Sequence, residues 1–292
     1  MTESSRRPTP SPTGSPTGQP TASPLAPPSA SLSEALELAR DVLSARPAGV
    51  LTDFDGTLSP IVTDPALARL VEGGHGALAR LAEQLEVVAI ITGRAALDAR
   101  RMTGVPGLLI AGNHGTEWLE PTADEPVAAP GMEDVRSRLD RALARLPELE
   151  GVPIEHKGLS AAIHYRNAPD PAATRRAILD GLGDVGGEGL ELRHGRMTVE
   201  LRAIGAADKG TATRALVERH ALRAVVVLGD DVTDLDMFRA VIALRAEGRV
   251  RGLVVGVGGG DHEVPEEVRG AADVLLRDPA EAAAFLEGLT RV

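Results

Sequence analysis

Residues 51–60 constrain the fold of this chain more than any other segment. The small and apolar residues 49–51 lead into Asp53 and Asp55, and Gly56 then ends the pattern. An apolar run that stops at a turn signal is typical of a buried parallel strand. Open α/β sheets bind ligands beyond the carboxyl ends of their strands, and alternate strand residues share one face. The segment therefore predicts two carboxylates that converge on one ligand, although by itself it also fits an Asx turn.

Composition excludes several classes of protein. The 292 residues carry a formal net charge of −11 and no cysteine. This acidic balance argues against nucleic-acid binding, and the missing thiols exclude disulfides and cysteine-ligated zinc. No apolar stretch is long enough to cross a membrane, and no apolar run follows Arg6 and Arg7 as in a secretory signal. We therefore expect a cytoplasmic enzyme with no membrane partner.

The order of apolar patterns predicts a Rossmann-like α/β core with an insert. Residues 1–30 are rich in Pro, Ser and Thr and predict a disordered tail. A helix follows from Ser31, whose spacing to Glu34 fits a capping box. Buried strands alternating with helices predict a parallel sheet formed by residues 31–125 and 204–292. Between these halves, residues 126–203 alternate like antiparallel strands and predict an α+β domain.

Four motifs lie in order along the predicted core: Asp53 with Asp55, then Thr92, Lys209 and Asp230. A carboxylate nucleophile divides phosphoester hydrolysis into two easier steps, and a second carboxylate can transfer the proton. Neighbouring carboxylates with a substrate phosphate favour Mg²⁺. A hydroxyl and a lysine can hold phosphate oxygens as charge develops. The set therefore predicts phosphoryl transfer.

These motifs resemble the haloacid dehalogenase (HAD) superfamily of phosphatases. Within it the chain is similar to the trehalose-6-phosphate phosphatases, through residues 112–117, 155–160, 164–166, 195–196, 200–202 and 229–238. The resemblance covers nearly all of residues 49–289. One departure is Leu235, which stands where the family usually has a glutamate.

The resemblance implies a role for each motif residue. Asp53 would be the nucleophile and a Mg²⁺ ligand, and Asp55 would be the general acid and base, with its backbone carbonyl on the metal. Thr92 and Lys209 would bind the phosphoryl group. Asp230 would bind Mg²⁺, supported by Asp231 and Asp234, although the last two also fit a helix cap. The inserted domain would be a cap over the substrate.

A second group of polar residues is expected to contact the sugar or line its cleft. Glu200 has an alternative, since it could simply pair with Arg196 or Arg202. The expected substrate-binding residues are Arg94, His114, Glu117, Lys157, His164, Arg166 and Glu200, and Arg202 is a further candidate.

The resulting expectation is a Mg²⁺-dependent phosphatase that converts trehalose 6-phosphate to trehalose and phosphate through an aspartyl phosphate, in trehalose biosynthesis. Another HAD sugar phosphatase, such as one acting on sucrose 6-phosphate, is an alternative. A second alternative is a non-catalytic protein that binds a sugar phosphate and partners a synthase, but the intact aspartate pair argues against it. A third alternative is a phosphomutase. A trehalose-phosphate synthase is a candidate partner.

Overall fold

A computed structural model describes residues 31–129, 132, 134–156, 159–195, 197–205, 207–258 and 264–290 of the chain. The predicted tail, 1–30, lies outside these residues. The described helices are α1 (Leu32–Leu43), α2 (Gly74–Gln84), α3 (Ala96–Thr103), α4 (Val135–Leu143), α5 (Pro171–Leu182), α6 (Lys209–Arg219), α7 (Leu235–Ala246), α8 (Glu266–Ala271) and α9 (Pro279–Leu289). The described strands are β1 (Ala48–Thr52), β2 (Val87–Ile91), β3 (Leu109–Gly112), β4 (Glu117–Leu119), β5 (Val127–Ala128), β6 (Ile154–His156), β7 (Ser160–His164), β8 (Leu190–Gly195), β9 (Thr198–Ala203), β10 (Ala224–Gly229), β11 (Arg251–Val257) and β12 (Val274–Leu276).

The larger sheet has the order β12-β11-β10-β1-β2-β3-β4-β5. Its first six strands run parallel, and β3, β4 and β5 pair antiparallel. Side chains alternate between the two faces, so Val50 packs into one apolar cluster and Leu51 into the other. Helices cover both faces, which explains why the parallel strands are almost continuously apolar. The predicted α/β fold class is confirmed.

Strand β1 lies at the centre of this sheet, between β10 and β2. All five of its residues are buried. Its pairing with β10 continues one residue beyond the strand, because the Asp53 N–H donates to the Leu228 carbonyl at 3.0 Å. The chain therefore delivers Asp53 to the carboxyl edge in a fixed position.

The amino-terminal helix begins as its sequence predicts. Ser31 Oγ accepts from the Glu34 N–H, and the Glu34 carboxylate accepts from the Ser31 N–H at 2.8 Å. The helix ends at Leu43. This reciprocal pair satisfies two of the donors that a helix start leaves free.

A second sheet, with the order β6-β7-β9-β8, is antiparallel throughout. Helices α4 and α5 contribute Leu139 and Ile178 to its own apolar cluster, together with Ile163 and Leu201 from the strands. These elements lie within the segment predicted as an insert. Strand β5 (Val127–Ala128) also falls in that range, but it pairs with β4 of the larger sheet. Two residues give too short a pattern for the sequence to assign them to either sheet.

None of the helices within the described part of the chain combines the length and the apolar composition that a membrane span requires.

Candidate active site

A cavity of about 490 Å³ opens at the carboxyl edge of the larger sheet. It collects side chains from six separate segments of the sequence. The residues that line it are Asp53, Asp55, Ile61, Thr92, Gly93, His114, Lys209, Asp230, Asp231, Thr233, Val264 and Pro265. The four predicted motifs therefore meet in one place.

Lys209 links two buried carboxylates in this cavity. Its Nζ donates to Asp53 Oδ1 at 2.7 Å and to Asp234 Oδ1 at 2.6 Å. All three side chains are at least nine-tenths buried. The ammonium stands at the first residue of α6, where Asp208 caps the helix by accepting from the Thr211 N–H. A buried ion pair of this geometry fixes the side-chain positions, and losing one partner would leave a charge unpaired.

Asp230 packs directly against the loop that follows β1. Thr57 Oγ1 donates to Asp230 Oδ1 at 2.7 Å. Gly56 has a φ of +83°, and a Cβ there would lie 2.0 Å from Asp230 Oδ2. Only glycine allows this approach. Gly56 of the first motif therefore lets the loop after β1 pack closely against Asp230 of the last motif.

Asp234 and Asp231 shape the turn that holds Asp230. Asp234 Oδ2 accepts from the N–H groups of Asp230 and Asp231, and Asp231 Oδ1 accepts from the Val232 N–H. Asp231 lines the cavity, whereas Asp234 is fully buried beneath it. Both act here as caps of the turn, the alternative that the sequence left open.

Burial perturbs the titration of these groups. Burial raises the pKa of Asp53, and this effect outweighs the attraction of Lys209. Burial also raises the pKa of Asp230, to about 7, against the opposing hydrogen bond from Thr57. For Lys209 burial acts downward, but the charges of Asp53 and Asp234 are stronger and raise its pKa. The cavity therefore holds more carboxylates than its own lysine neutralises.

Asp55 faces a different partner. Arg94 Nε donates to Asp55 Oδ2 and Arg94 Nη2 donates to Asp55 Oδ1, both at 2.6 Å. Asp55 lines the first cavity and also a second one, of about 620 Å³, that extends toward β6 of the second sheet. The sequence assigned Arg94 to the substrate, and the structure places it on Asp55.

Thr92 and His114 lie just beyond the carboxyl ends of two neighbouring strands, β2 and β3. The Thr92 hydroxyl accepts from the Arg94 N–H at 3.2 Å, and the His114 N–H donates to the Thr92 carbonyl at 2.8 Å. Asn113 and His114 both have positive φ, of 49° and 59°. Such backbone is uncommon outside glycine and clusters at functional sites. His114 lines the first cavity beside Thr92.

Glu117 serves the start of a helix. Its Oε1 accepts from the Ala96 N–H, the first of α3, at 2.7 Å. It lies outside the first two cavities and lines a third one, next to Arg136 and Leu159. A carboxylate at a helix amino terminus stabilises the helix, because its negative charge interacts favourably with the positive end of the helix dipole.

The expected sugar contacts on the second sheet are more exposed. His164 Nε2 lies 3.0 Å from Glu155 Oε2, Arg166 is exposed, and Glu200 is half-buried opposite Arg193 of β8. Arg202 Nε donates to Glu191 Oε1 at 2.6 Å, so Arg202 pairs with Glu191 rather than with Glu200. Lys157 and Arg196 lie outside the described residues.

Sequence reasoning did not single out Glu155 and His156 of β6. Both line the cavity shared with Asp55, as Arg94 does. Both stand in a stretch that carried the family resemblance, immediately before Lys157. That position was the only available signal, because a strand of three exposed residues shows no burial pattern.

Comparisons with known proteins agree with this geometry. Residues 51–269 match the family model described as trehalose-phosphatase. A trehalose-phosphate phosphatase of Mycobacterium avium is 38% identical over 274 residues, 88% of this chain and 66% of that protein. Another, from Mycobacterium marinum, is 39% identical over 208 residues, 67% of this chain and 52% of that protein. The chain thus spans at most 66% of the length of these two relatives.

Solved structures resemble the whole described fold. The trehalose-6-phosphate phosphatase of Aspergillus fumigatus superposes with a TM-score of 0.63 at 25% identity, covering 90% of this chain and 98% of that one. The carboxy-terminal domain of the Candida albicans trehalose-6-phosphate phosphatase shares the fold, with a TM-score of 0.62 at 22% identity over 90% of this chain and 98% of that one. With the family model spanning well over half of its residues, the chain belongs to the trehalose-phosphatase family.

Proposed function

We propose that this chain is a phosphatase that hydrolyses trehalose 6-phosphate to trehalose and phosphate. The observation that carries the proposal is the single cavity in which Asp53, Asp55, Thr92, Lys209 and Asp230 meet. These are the groups that phosphoryl transfer through a carboxylate requires. Family membership and the names of the relatives support trehalose 6-phosphate as the substrate.

In the first step, a carboxylate oxygen of Asp53 bonds to phosphorus while the bond from phosphorus to the sugar oxygen breaks. Asp55 takes up a proton from solvent before this step and gives it to that oxygen, so trehalose leaves as a neutral alcohol. The products are an aspartyl phosphate on Asp53 and an ionised Asp55. The ion pair with Lys209 holds Asp53 in one orientation, which keeps the attacking oxygen aligned.

In the second step, water attacks the phosphorus of the aspartyl phosphate. Asp55 takes a proton from this water, and the bond to Asp53 breaks, which restores both carboxyl groups and releases phosphate. The Thr92 hydroxyl and the Lys209 ammonium both line the cavity, where they can donate to the phosphoryl oxygens.

Mg²⁺ fits the donor set of this cavity. Carboxylate oxygens of Asp53, Asp230 and Asp234 lie within 4.8 Å of one another, and burial raises the pKa of Asp53 and of Asp230. Asp234 is already engaged by Lys209 and two N–H groups, so we assign the metal to Asp53, the Asp55 carbonyl and Asp230, with Asp231 beside them. Bound Mg²⁺ would neutralise phosphoryl charge.

The segment 126–203 would act as a cap that supplies sugar specificity, through the second sheet and Lys157, His164, Arg166 and Glu200. This placement is supported by Glu155 and His156, which line the cavity that begins at Asp55. Enclosure by such an element would exclude bulk water from the reaction. A synthase partner and a cytoplasmic location remain parts of the same proposal.

Phosphate release from trehalose 6-phosphate, sucrose 6-phosphate and glucose 6-phosphate tests the function, each with Mg²⁺ and with chelator. We expect the highest kcat/KM for trehalose 6-phosphate and no release with chelator. Faster metal-dependent release from another sugar would discard the substrate and keep the mechanism. Tight binding of trehalose 6-phosphate without release would support a sensor instead.

A further inference from the structure

We propose that Arg94 is the positioning residue of Asp55, which it holds at the border between the phosphoryl cavity and the cavity of the leaving sugar. The proposal deepens the phosphatase function proposed above and rests on it. It replaces the assignment of Arg94 to the substrate with an assignment to the proton donor.

The contact between the two side chains is a two-pronged fork. Two nitrogens of Arg94 donate to the two oxygens of Asp55, at 2.6 Å each. Parallel bonds of this kind fix both the position and the plane of a carboxylate, which a lysine cannot do. The side chain of Asp55 is 38% exposed, so packing constrains its rotamer less than it constrains that of the buried Asp53.

Arg94 is itself held from three sides. Its guanidinium carbon lies 5.7 Å from the centre of the buried Phe54 ring, its N–H donates to Thr92 Oγ1, and its carbonyl accepts from the Asn113 N–H at 2.8 Å. Its side chain is only 15% exposed. The two backbone contacts fix the position of the residue, and burial against Phe54 limits the movement of its side chain, so the fork starts from a fixed base.

The position of the fork matches the bond that must break. The first cavity contains Asp53, Lys209 and Asp230, which suit the phosphoryl group, and the second contains Glu155 and His156. Asp55 is the acidic residue that lines both of these cavities within the described chain. The oxygen between phosphorus and sugar would lie at this border, where it receives the proton.

Arg94 can keep Asp55 in place while the proton moves. One Asp55 oxygen first leaves Arg94 and takes up a proton from solvent. It then gives this proton to the leaving oxygen as the phosphorus–oxygen bond breaks. The other oxygen keeps its hydrogen bond to Arg94, so the carboxyl group pivots without leaving the border. Arg94 touches neither reacting atom in this arrangement, and its effect passes through Asp55.

The test compares two leaving groups in the wild type and in Arg94→Ala. A sugar alkoxide needs a proton to leave, whereas p-nitrophenolate leaves as a stable anion, so only the sugar substrate depends strongly on a placed acid. We expect Arg94→Ala to lower kcat for trehalose 6-phosphate at least about tenfold more than kcat for p-nitrophenyl phosphate. Arg94→Lys keeps the charge but not the fork, so its kcat for trehalose 6-phosphate should lie between those of the wild type and Arg94→Ala.

Arg239→Ala is the matched control. Arg239 also pairs with an aspartate, Asp236, but it lines neither cavity, so the ratio of the two kcat values should stay at its wild-type value. Equal losses on both substrates in Arg94→Ala would overturn the proposal. A rise in KM for trehalose 6-phosphate alone would overturn it too, because it would return Arg94 to sugar binding.

A measurement without substrate separates this inference from the proposed function. In a double-mutant cycle of Arg94→Ala and Asp55→Asn, the fork predicts that the double variant shifts Tm by clearly less than the sum of the single shifts. Additive shifts would overturn the fork. Absence of phosphate release in the wild type would overturn the proposed function, while this cycle would still decide whether Arg94 holds Asp55.

Discussion

The polar residues of the two sheets differ in burial and in their partners. At the edge of the larger sheet, Asp53, Lys209 and Asp234 are buried, and Lys209 donates a hydrogen bond to each of the two carboxylates. On the second sheet, His164 and Arg202 form pairs with acidic neighbours at partly exposed positions. Buried ion pairs determine geometry and leave large penalties when broken, whereas exposed pairs contribute little to stability. The difference indicates that the first region is built for chemistry that needs fixed atoms, and that the second is free to adapt to a sugar.

The largest difference between the regions should appear in turnover. Asp53→Asn keeps the shape of the side chain but removes the nucleophile, so phosphate release should fall by about 10³-fold or more. Circular dichroism should report an unchanged fold. Asp140→Asn, at an exposed position of α4, is the control and should retain wild-type turnover. A loss below tenfold in Asp53→Asn would assign the nucleophile elsewhere.

Breaking one ion pair in each region compares their stabilities directly. Lys209→Met leaves Asp53 and Asp234 buried without their cation and should reduce the free energy of unfolding by about 3–5 kcal/mol. Arg202→Met breaks the pair with Glu191, in which Arg202 is 36% exposed, so screening should limit the loss to about 1 kcal/mol or less. Urea unfolding measures both. Equal losses would remove the distinction between the two regions.

The buried carboxylates of the first region should also make the free energy of unfolding depend on pH. Asp230 has an ordinary pKa of 3.8, which burial raises to about 7 in the folded chain. Between these values the folded state holds a proton that the unfolded chain has released. Stability from this group is therefore greatest below about pH 4 and falls as pH rises toward 7, by up to about 1.4 kcal/mol per pH unit.

This dependence is measured as the difference in Tm between the wild type and Asp230→Asn, in chelator, from pH 4 to pH 7. The wild type should lose stability relative to the variant as pH rises. Adding Mg²⁺ near pH 7 should raise the Tm of the wild type more than that of the variant, since the cation binds the ionised carboxylate. Parallel curves would mean that Asp230 is not the titrating group.

The smallest effects are expected on the second sheet. Glu200→Gln keeps the size of a half-buried side chain and removes its charge, so the free energy of unfolding should change by about 0.5 kcal/mol or less. KM for trehalose 6-phosphate should rise several-fold with little change in kcat, as expected for a group that binds substrate and transition state equally. A loss in kcat alone would place Glu200 in the chemistry.

The core of the fold was readable from apolar patterns because its strands are buried on both faces. Strands β2 (Val87–Ile91) and β12 (Val274–Leu276) are runs of apolar residues, and runs of this kind predicted a parallel sheet in the core. The short exposed strands β5 and β6 were not predicted, because two or three residues cannot show a period. The motifs also predicted which residues meet in the first cavity, since parallel strands end at a common edge.

By itself, the sequence determined the class of fold, the edge that carries the chemistry and the residue types that gather there. These follow from local properties: apolar runs, turn signals and the spacing of carboxylates. Only the tertiary structure decided the partners. Arg94 holds Asp55, Asp234 holds Lys209 and Gly56 admits Asp230, although these pairs are separated by 39, 25 and 174 residues. Hydrogen bonds and close contacts depend on distances of a few ångström, which the packing of distant segments sets and no local pattern encodes.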